Sequence, residues 1–150
     1  GGPIIMVQVE NEFGSVGSVV DNPLDRKYME SLVDAAREEL GDDVILFTTD
    51  GGNIDYMRKG SLNGSRVYTV GDGCGDVSQC WEAQKLMNAP GMSPRMCSET
   101  YTGWLTHWGE KMGNISANGT AQHIDDILST GGSASLYMAH GGTNFGFWSG

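Results

Sequence analysis

No run of apolar residues in this 150-residue chain reaches the length of a membrane span, and the chain does not open with the basic-then-apolar layout of a signal peptide. Basic residues are scarce: nine Lys and Arg stand against nineteen Asp and Glu, for a net charge of −10. A phosphate backbone must be met by clustered cations, and these nine are scattered, which argues against a nucleic-acid partner. Cysteine is sparse as well. Three of them, Cys74, Cys80 and Cys97, form neither a fully paired disulfide scaffold nor a zinc set. Cys74 and Cys80 are spaced so that a local bridge is open to them, while Cys97 reads as a buried thiol in a strand. His107, His123 and His140 lack metal-ligand spacing, and the pairs Asp42-Asp43 and Asp125-Asp126 read as solvated charges. A phosphate-binding fingerprint does not follow the first strand, and no lysine follows the Gly141-Gly142-Thr143-Asn144 loop, which argues against a nucleotide cradle.

What is present is an ordinary globular balance, 39% hydrophobic and 19% charged, enough for one core. Gly1-Gly2-Pro3 runs directly into a strand, and Phe145 to Gly150 ends in a loop. The expectation is a piece of a longer protein. Three acceptor patterns for N-glycosylation begin at Asn63, Asn114 and Asn118, each in a stretch that reads as loop. They tilt the reading toward a secreted, lysosomal or vacuolar setting.

Strand-like and helix-like stretches alternate. Residues 3–10 read as a buried strand. Asn22 caps a helix with Pro23 at its first position, with Leu24, Tyr28, Leu32, Ala36 and Leu40 as its apolar face and Gly41 as its end. Residues 44–49 form a second strand and 54–58 a short helix; 67–70 form a third strand. Asp76 with Gln79 opens a helix to about residue 86. Residues 95–98, 120–129 and 134–139 then read as strand, helix and strand. Such alternation implies a parallel sheet covered by helices, either doubly wound or a barrel. In both, chemistry gathers at the carboxyl ends of the strands, where Glu12, Asp50, Asp72, Glu99 and His140 all fall.

Glu12 and Glu99 stand out among these because each closes a short apolar run and the two are far apart in sequence. Two carboxyl groups brought together from different strands are what a glycoside hydrolase commonly needs. Along the first strand Met6, Gln8, Glu10 and Glu12 share one parity and Ile5, Val7 and Val9 the other, which suits polar residues facing a site and branched ones facing helices. Asn11 has the wrong parity to join Glu12 unless the strand ends or bulges there.

The run Gly1-Gly2-Pro3-Ile4-Ile5-Met6-Val7-Gln8-Val9-Glu10-Asn11-Glu12-Phe13-Gly14 resembles the signature of glycoside hydrolase family 35, the β-galactosidase family. The segment from Ser98 to Gly109 is similar to that family's second catalytic block, and Leu136-Tyr137-Met138 with Gly141-Gly142-Thr143-Asn144-Phe145 to its last-strand block. The resemblance implies a (β/α)8 TIM barrel of which this chain holds strands four to eight, the C-terminal portion of the catalytic domain, without strands one to three or downstream β-domains. It also implies roles: Glu12 as acid/base, Glu99 as nucleophile, Asn11 at the sugar 2-hydroxyl, and Tyr101 and Tyr137 lining the galactose site. Glu10 does not inherit the acid/base role. Trp104 and Trp108 follow Glu99 in a loop and offer an aromatic wall for a leaving-group sugar.

The implied activity is that of a retaining exo-β-galactosidase acting on terminal β-D-galactose through a covalent glycosyl-enzyme intermediate, without metal or organic cofactor. In such a mechanism the carboxyls stand about 5–5.5 Å apart, one attacking while the other gives up a proton. Two alternatives stay open: a same-family exo-β-glucosaminidase, and a galactoside-binding protein whose catalysis has lapsed. Presence of both glutamates speaks against lapse.

Overall fold

The computed structural model describes residues 3–142 and 146. Strands and helices alternate as β1 Met6–Asn11, α1 Pro23–Leu40, β2 Ile45–Gly51, α2 Ile54–Gly60, β3 Tyr68–Asp72, α3 Val77–Met87, β4 Met96–Tyr101, α4 Ala117–Ser129 and β5 Ser133–Tyr137, with a 3-10 turn at Phe13–Ser15. Every neighbouring pair is parallel, and the order of strands in the sheet is their order in the chain. Parallel crossovers are right-handed, so stepping always in one direction sets all the helices on one face. A doubly wound sheet would reverse its order at a switch point. The sequential order therefore decides the choice left open above: five strands of a partial (β/α)8 barrel, helices outside.

Local chemistry fixes the helix starts. The Asn22 side chain accepts from the Leu24 N–H with Pro23 at the first helical position, and Asp76 accepts from the Gln79 N–H. Gly41 closes α1 with φ 74°, a conformation that suits a residue without a Cβ. α4 begins at Ala117, ahead of the expected residue 120, because Ser116 accepts from the Gly119 N–H and satisfies the first turn. One glycosylation acceptor, Asn118, therefore lies on the first turn of a helix, not in a loop as expected. Asn63 and Asn114 are exposed outside the helices and strands.

The expected apolar face of α1 is not the buried one. Leu24 is 74% exposed, whereas Met29 and Val33 are fully buried against Leu46, Val7 and Val9. Contact with β1 and β2 selects this neighbouring stripe of the helix, with Ala36 partly buried beside it. A second core joins Met57 of α2 with Cys80, Trp81 and Met87 of α3, Cys97 of β4 and Ile127 of α4. Cys74 and Cys80 form a disulfide that ties the segment after β3 to α3, and Cys97 is free and buried. No helix among the described residues is long and apolar enough to cross a membrane.

β1 and β5 are the two edges of the sheet, and Ile4, Ile5 and Leu136 beside or within them are exposed. Unpaired strand edges with apolar neighbours template further pairing. The 150-residue chain expressed alone is expected to sediment as oligomers or aggregates; a monodisperse monomer would count against this.

Candidate active site

The carboxyl end of β1 is where the chain departs most from regular structure. The β1–β2 register slips between Gln8, which pairs with Phe47, and Glu10, which pairs with Thr48. The bulge breaks the expected alternation. Glu10 does not share the site-facing side with Gln8 and Glu12; its carboxylate accepts from the Tyr28 hydroxyl of α1 at 3.0 Å, on the helix side. Asn11 instead joins Gln8, whose Nε2 donates to the Asn11 Oδ1 at 2.9 Å.

Glu12 then sits at φ 52°, ψ 32°, a left-handed backbone that costs a side-chain-bearing residue roughly 1–3 kcal/mol. Neighbouring strand ends hold it there. The Glu12 N–H donates to the Thr49 carbonyl at 2.7 Å, the Ser15 N–H to the Glu12 carbonyl at 3.0 Å, and the Gly14 N–H to Asp50 Oδ1 at 2.8 Å. Glycine is required around Asp50: a Cβ on Gly60 would lie 1.8 Å from Asp50 Oδ1, and one on Gly14 would lie 2.1 Å from the Tyr56 carbonyl oxygen.

Glu99 reaches the same place from β4. Its carbonyl accepts from the Gly73 N–H at 2.9 Å, which ties the end of β3 to β4 at this residue. Glu12, Glu99, Asn11, Tyr101, Trp104 and Tyr137 line one cavity of about 870 Å³ at the carboxyl ends of the strands. The Tyr101 ring meets Trp104 edge-on at 5.2 Å and Tyr137 at 6.2 Å. The fold thus brings together six residues that stand out in the sequence. Trp108 does not line the cavity, nor does His140, whose Nδ1 accepts from the Gly142 N–H. Thr143, Asn144 and Phe145 of the last-strand block lie outside the described residues. At the opposite end of the sheet a cavity of about 580 Å³ includes Arg37, Arg66 and Arg95 in its lining, and each already binds a carbonyl or carboxylate.

Asp50 and Asp72 fall at strand ends in the sequence but carry no motif that assigns them a role. Asp50 pairs with Gly71 and Gly51 with Asp72, so the two aspartates face opposite sides of the sheet. A Cβ on Gly71 would strike Cys80 and Met57 on the helix side, which puts Asp50 on that side and Asp72 on the inner one. There Asp72 adjoins Glu12, Glu99 and Tyr101.

Burial dominates the electrostatics. It raises the Glu99 carboxyl, the Glu12 charge raises it further, and the Tyr101 hydroxyl, bonding to the carboxylate, opposes both. Burial also lifts Tyr101, followed by the charges of Asp72, Glu99 and Glu12. Asp72 is pushed up to about 7 by burial and then by Glu12 and Glu99. Asp50 is likewise raised to about 7, chiefly by burial, against the pull of its bond from Gly14. Crowded carboxyls of this kind hold protons unequally, the condition under which one acts as an acid while another stays ionised.

The family model for glycosyl hydrolases family 35 matches residues 1–150. The chain is 51% identical over its whole length to beta-galactosidase 17 of Arabidopsis thaliana, of which it covers 21%, and 49% identical to beta-galactosidase 8 of Oryza sativa subsp. japonica, of which it covers 22%. It is 43% identical to the beta-galactosidase of Homo sapiens, again over the whole chain and 21% of that protein. The chain therefore spans about a fifth of the length of these curated relatives.

The two raised aspartates make stability fall as pH rises. Each holds its proton in the fold up to about 7 but from an ordinary value of 3.8 when unfolded, so the folded state binds more protons between those values. Their favourable contribution is complete below about 3.8 and is lost as pH rises through about 7. Thermal melts of the full-length protein at pH 5 and pH 8 should show a lower midpoint at pH 8, with the difference reduced in the D50N/D72N double variant. An unchanged difference in that variant would refute the assignment.

Proposed function

The chain belongs to glycosyl hydrolases family 35, and from that membership we propose that it supplies the catalytic pair of a retaining exo-β-galactosidase. The observation that carries the reading is the meeting of Glu12 and Glu99 in one cavity at the carboxyl ends of β1 and β4, beside Asn11, Tyr101 and Tyr137. In this reading the 150 residues are strands four to eight of the catalytic barrel, and earlier strands and downstream domains belong to the rest of the protein.

Glu99 attacks the anomeric carbon of a terminal β-galactoside as its carboxylate. The bond from that carbon to the departing oxygen breaks, and Glu12 transfers a proton to that oxygen. Water then attacks the galactosyl ester and gives a proton to Glu12, and the Glu99 carboxylate leaves, which restores both groups. Tyr101 serves this sequence through its hydrogen bond to Glu99, which steadies the carboxylate that burial would otherwise disfavour. Asn11 is suited to the sugar 2-hydroxyl, Tyr137 lines the galactose site, and exposed Trp104 offers a wall for the leaving group.

Exposed acceptor residues Asn63, Asn114 and Asn118, together with the Cys74–Cys80 disulfide, support an oxidising, secretory, lysosomal or vacuolar setting.

The test uses the full-length protein on nitrophenyl β-galactoside and its β-glucosaminide counterpart. Galactoside turnover is expected to exceed glucosaminide turnover, and Glu99→Gln should cut it by at least about a thousandfold. Preference for the glucosaminide would overturn the substrate, and an active Glu99→Gln variant the nucleophile.

A further inference from the structure

We propose that Asp72 is a positioning residue for the glycosidase reaction: a third carboxyl that keeps its proton and seats the Glu12 carboxyl by donating a hydrogen bond to it. The proposal rests on the function inferred above and adds to it a residue that the two-carboxylate description does not contain.

Position comes first. Asp72 is the last residue of β3, and the register that pairs it with Gly51 turns it to the inner face, away from α2 and α3. The next residue, Gly73, takes φ 64° and donates its N–H to the Glu99 carbonyl at 2.9 Å. A Cβ at Gly73 would lie 3.3 Å from the Tyr101 ring, so glycine lets that ring settle against the strand end. Asp72 is thereby fixed to the backbone that carries Glu99 and set beside the hydroxyl that binds Glu99.

Surroundings come next. Asp72 is 6% exposed, and its Oδ2 is buried without a hydrogen-bond partner. The groups acting on its side chain are Glu12 from the turn after β1 and Glu99 and Tyr101 from β4; Asp50 of β2 and Cys97 of β4 feel its charge from the helix side. The Tyr101 hydroxyl favours the charged form by hydrogen bonding, but burial and the charges of Glu12 and Glu99 outweigh it. A buried carboxylate beside two glutamates is disfavoured, whereas a protonated carboxyl both removes a charge and acquires a donor. Glu12 stands where that donor can be used. Burial and the two glutamates hold the Asp72 proton up to about pH 7. Above that, loss of the proton replaces a donor with an acceptor and brings a second negative charge beside Glu99.

The test compares the full-length protein with its Asp72→Asn and Asp72→Ala variants. Asp72→Ala should lower kcat about a hundredfold on nitrophenyl β-galactoside, with KM changed less than about threefold. Asp72→Asn keeps an N–H to give to Glu12 but does not titrate; it should recover at least about tenfold of that loss, and the alkaline fall in its kcat/KM profile should move up by about one pH unit or more. In the Asp50→Asn background, which removes the other carboxyl raised to about 7, infrared spectra should show a protonated-carboxyl C=O band that is lost as pH rises through about 7 and that adding Asp72→Asn removes. An Asp72→Asn profile superimposable on that of the unsubstituted protein, with the band retained, would overturn the proposal. So would full kcat in Asp72→Ala. Absence of any galactoside turnover in the unsubstituted protein would sink the galactosidase reading instead, and the infrared band, which needs no turnover, would still decide whether Asp72 holds the proton.

Discussion

A carboxyl group removed from water must find a cation, hydrogen-bond donors or a proton, and the upper end of this sheet is organised by that requirement. Asp50 and Asp72 are 1% and 6% exposed, and with Glu12 and Glu99 they crowd the ends of adjacent strands. Cations do not supply the balance: among the described residues the ion pairs join Arg26 to Glu30, Arg66 to Asp34 and His107 to Glu110, and none reaches this cluster. What remains are backbone N–H groups, the Tyr101 hydroxyl and protons. Gly14 donates to Asp50, and the one Tyr101 hydroxyl serves both Glu99 and Asp72, while Asp50 and Asp72 each keep one oxygen without a partner. Where donors run short, protonation substitutes for them.

The strand ends make this crowding geometrically exact enough to be useful. Hydrogen bonds continue past the regular sheet, from the Glu12 N–H to Thr49 and from the Gly73 N–H to Glu99. Each links a residue of the carboxyl cluster, or its immediate neighbour, to the adjacent strand. The left-handed turn at Glu12 is thus held by β2, and the helix-side grip of Asp50 on Gly14 completes it from behind the sheet. Strain at one residue persists because three neighbours over-determine its backbone.

Much of this architecture could be read from the sequence, and the part that could not has one cause. Asn22-Pro23, Asp76 with Gln79, and Gly41 announce helix boundaries through local chemistry, and the structure uses all of them. The two glutamates could be found because strand ends and motif blocks are contiguous in sequence. Pairing between distant strands leaves no such trace. The β1–β2 register slip that turns Glu10 toward Tyr28 depends on how β1 meets β2. The buried stripe of α1, Met29 and Val33 in place of Leu24 and Leu40, likewise depends on where the helix lands on the sheet. Helical spacing shows that a stripe exists; only packing chooses between neighbouring ones. Sequential strand order, which separates a barrel from a doubly wound sheet, is also a property of long-range pairing.

Asp50 and Asp72 show how far that limit reaches into function. Both are aspartates at or next to the end of a parallel strand, both precede glycine, both are buried, and burial raises both to about 7. By residue type, local sequence and titration they are near equivalents. Register separates them: the pairing of Asp50 with Gly71 and of Gly51 with Asp72 puts them on opposite faces. On the helix side, Asp50 braces the turn that carries Glu12 by accepting from the Gly14 N–H. On the inner side, Asp72 adjoins the carboxyls themselves, and the same proton bears on the charge within the cavity. A single step in the pairing of β2 with β3 would put both aspartates on the same face, because the faces of a strand alternate residue by residue. The division of labour between these aspartates is therefore set by the sheet, and the glycines at positions 14, 60, 71 and 73 leave the room that lets each side chain occupy its own side.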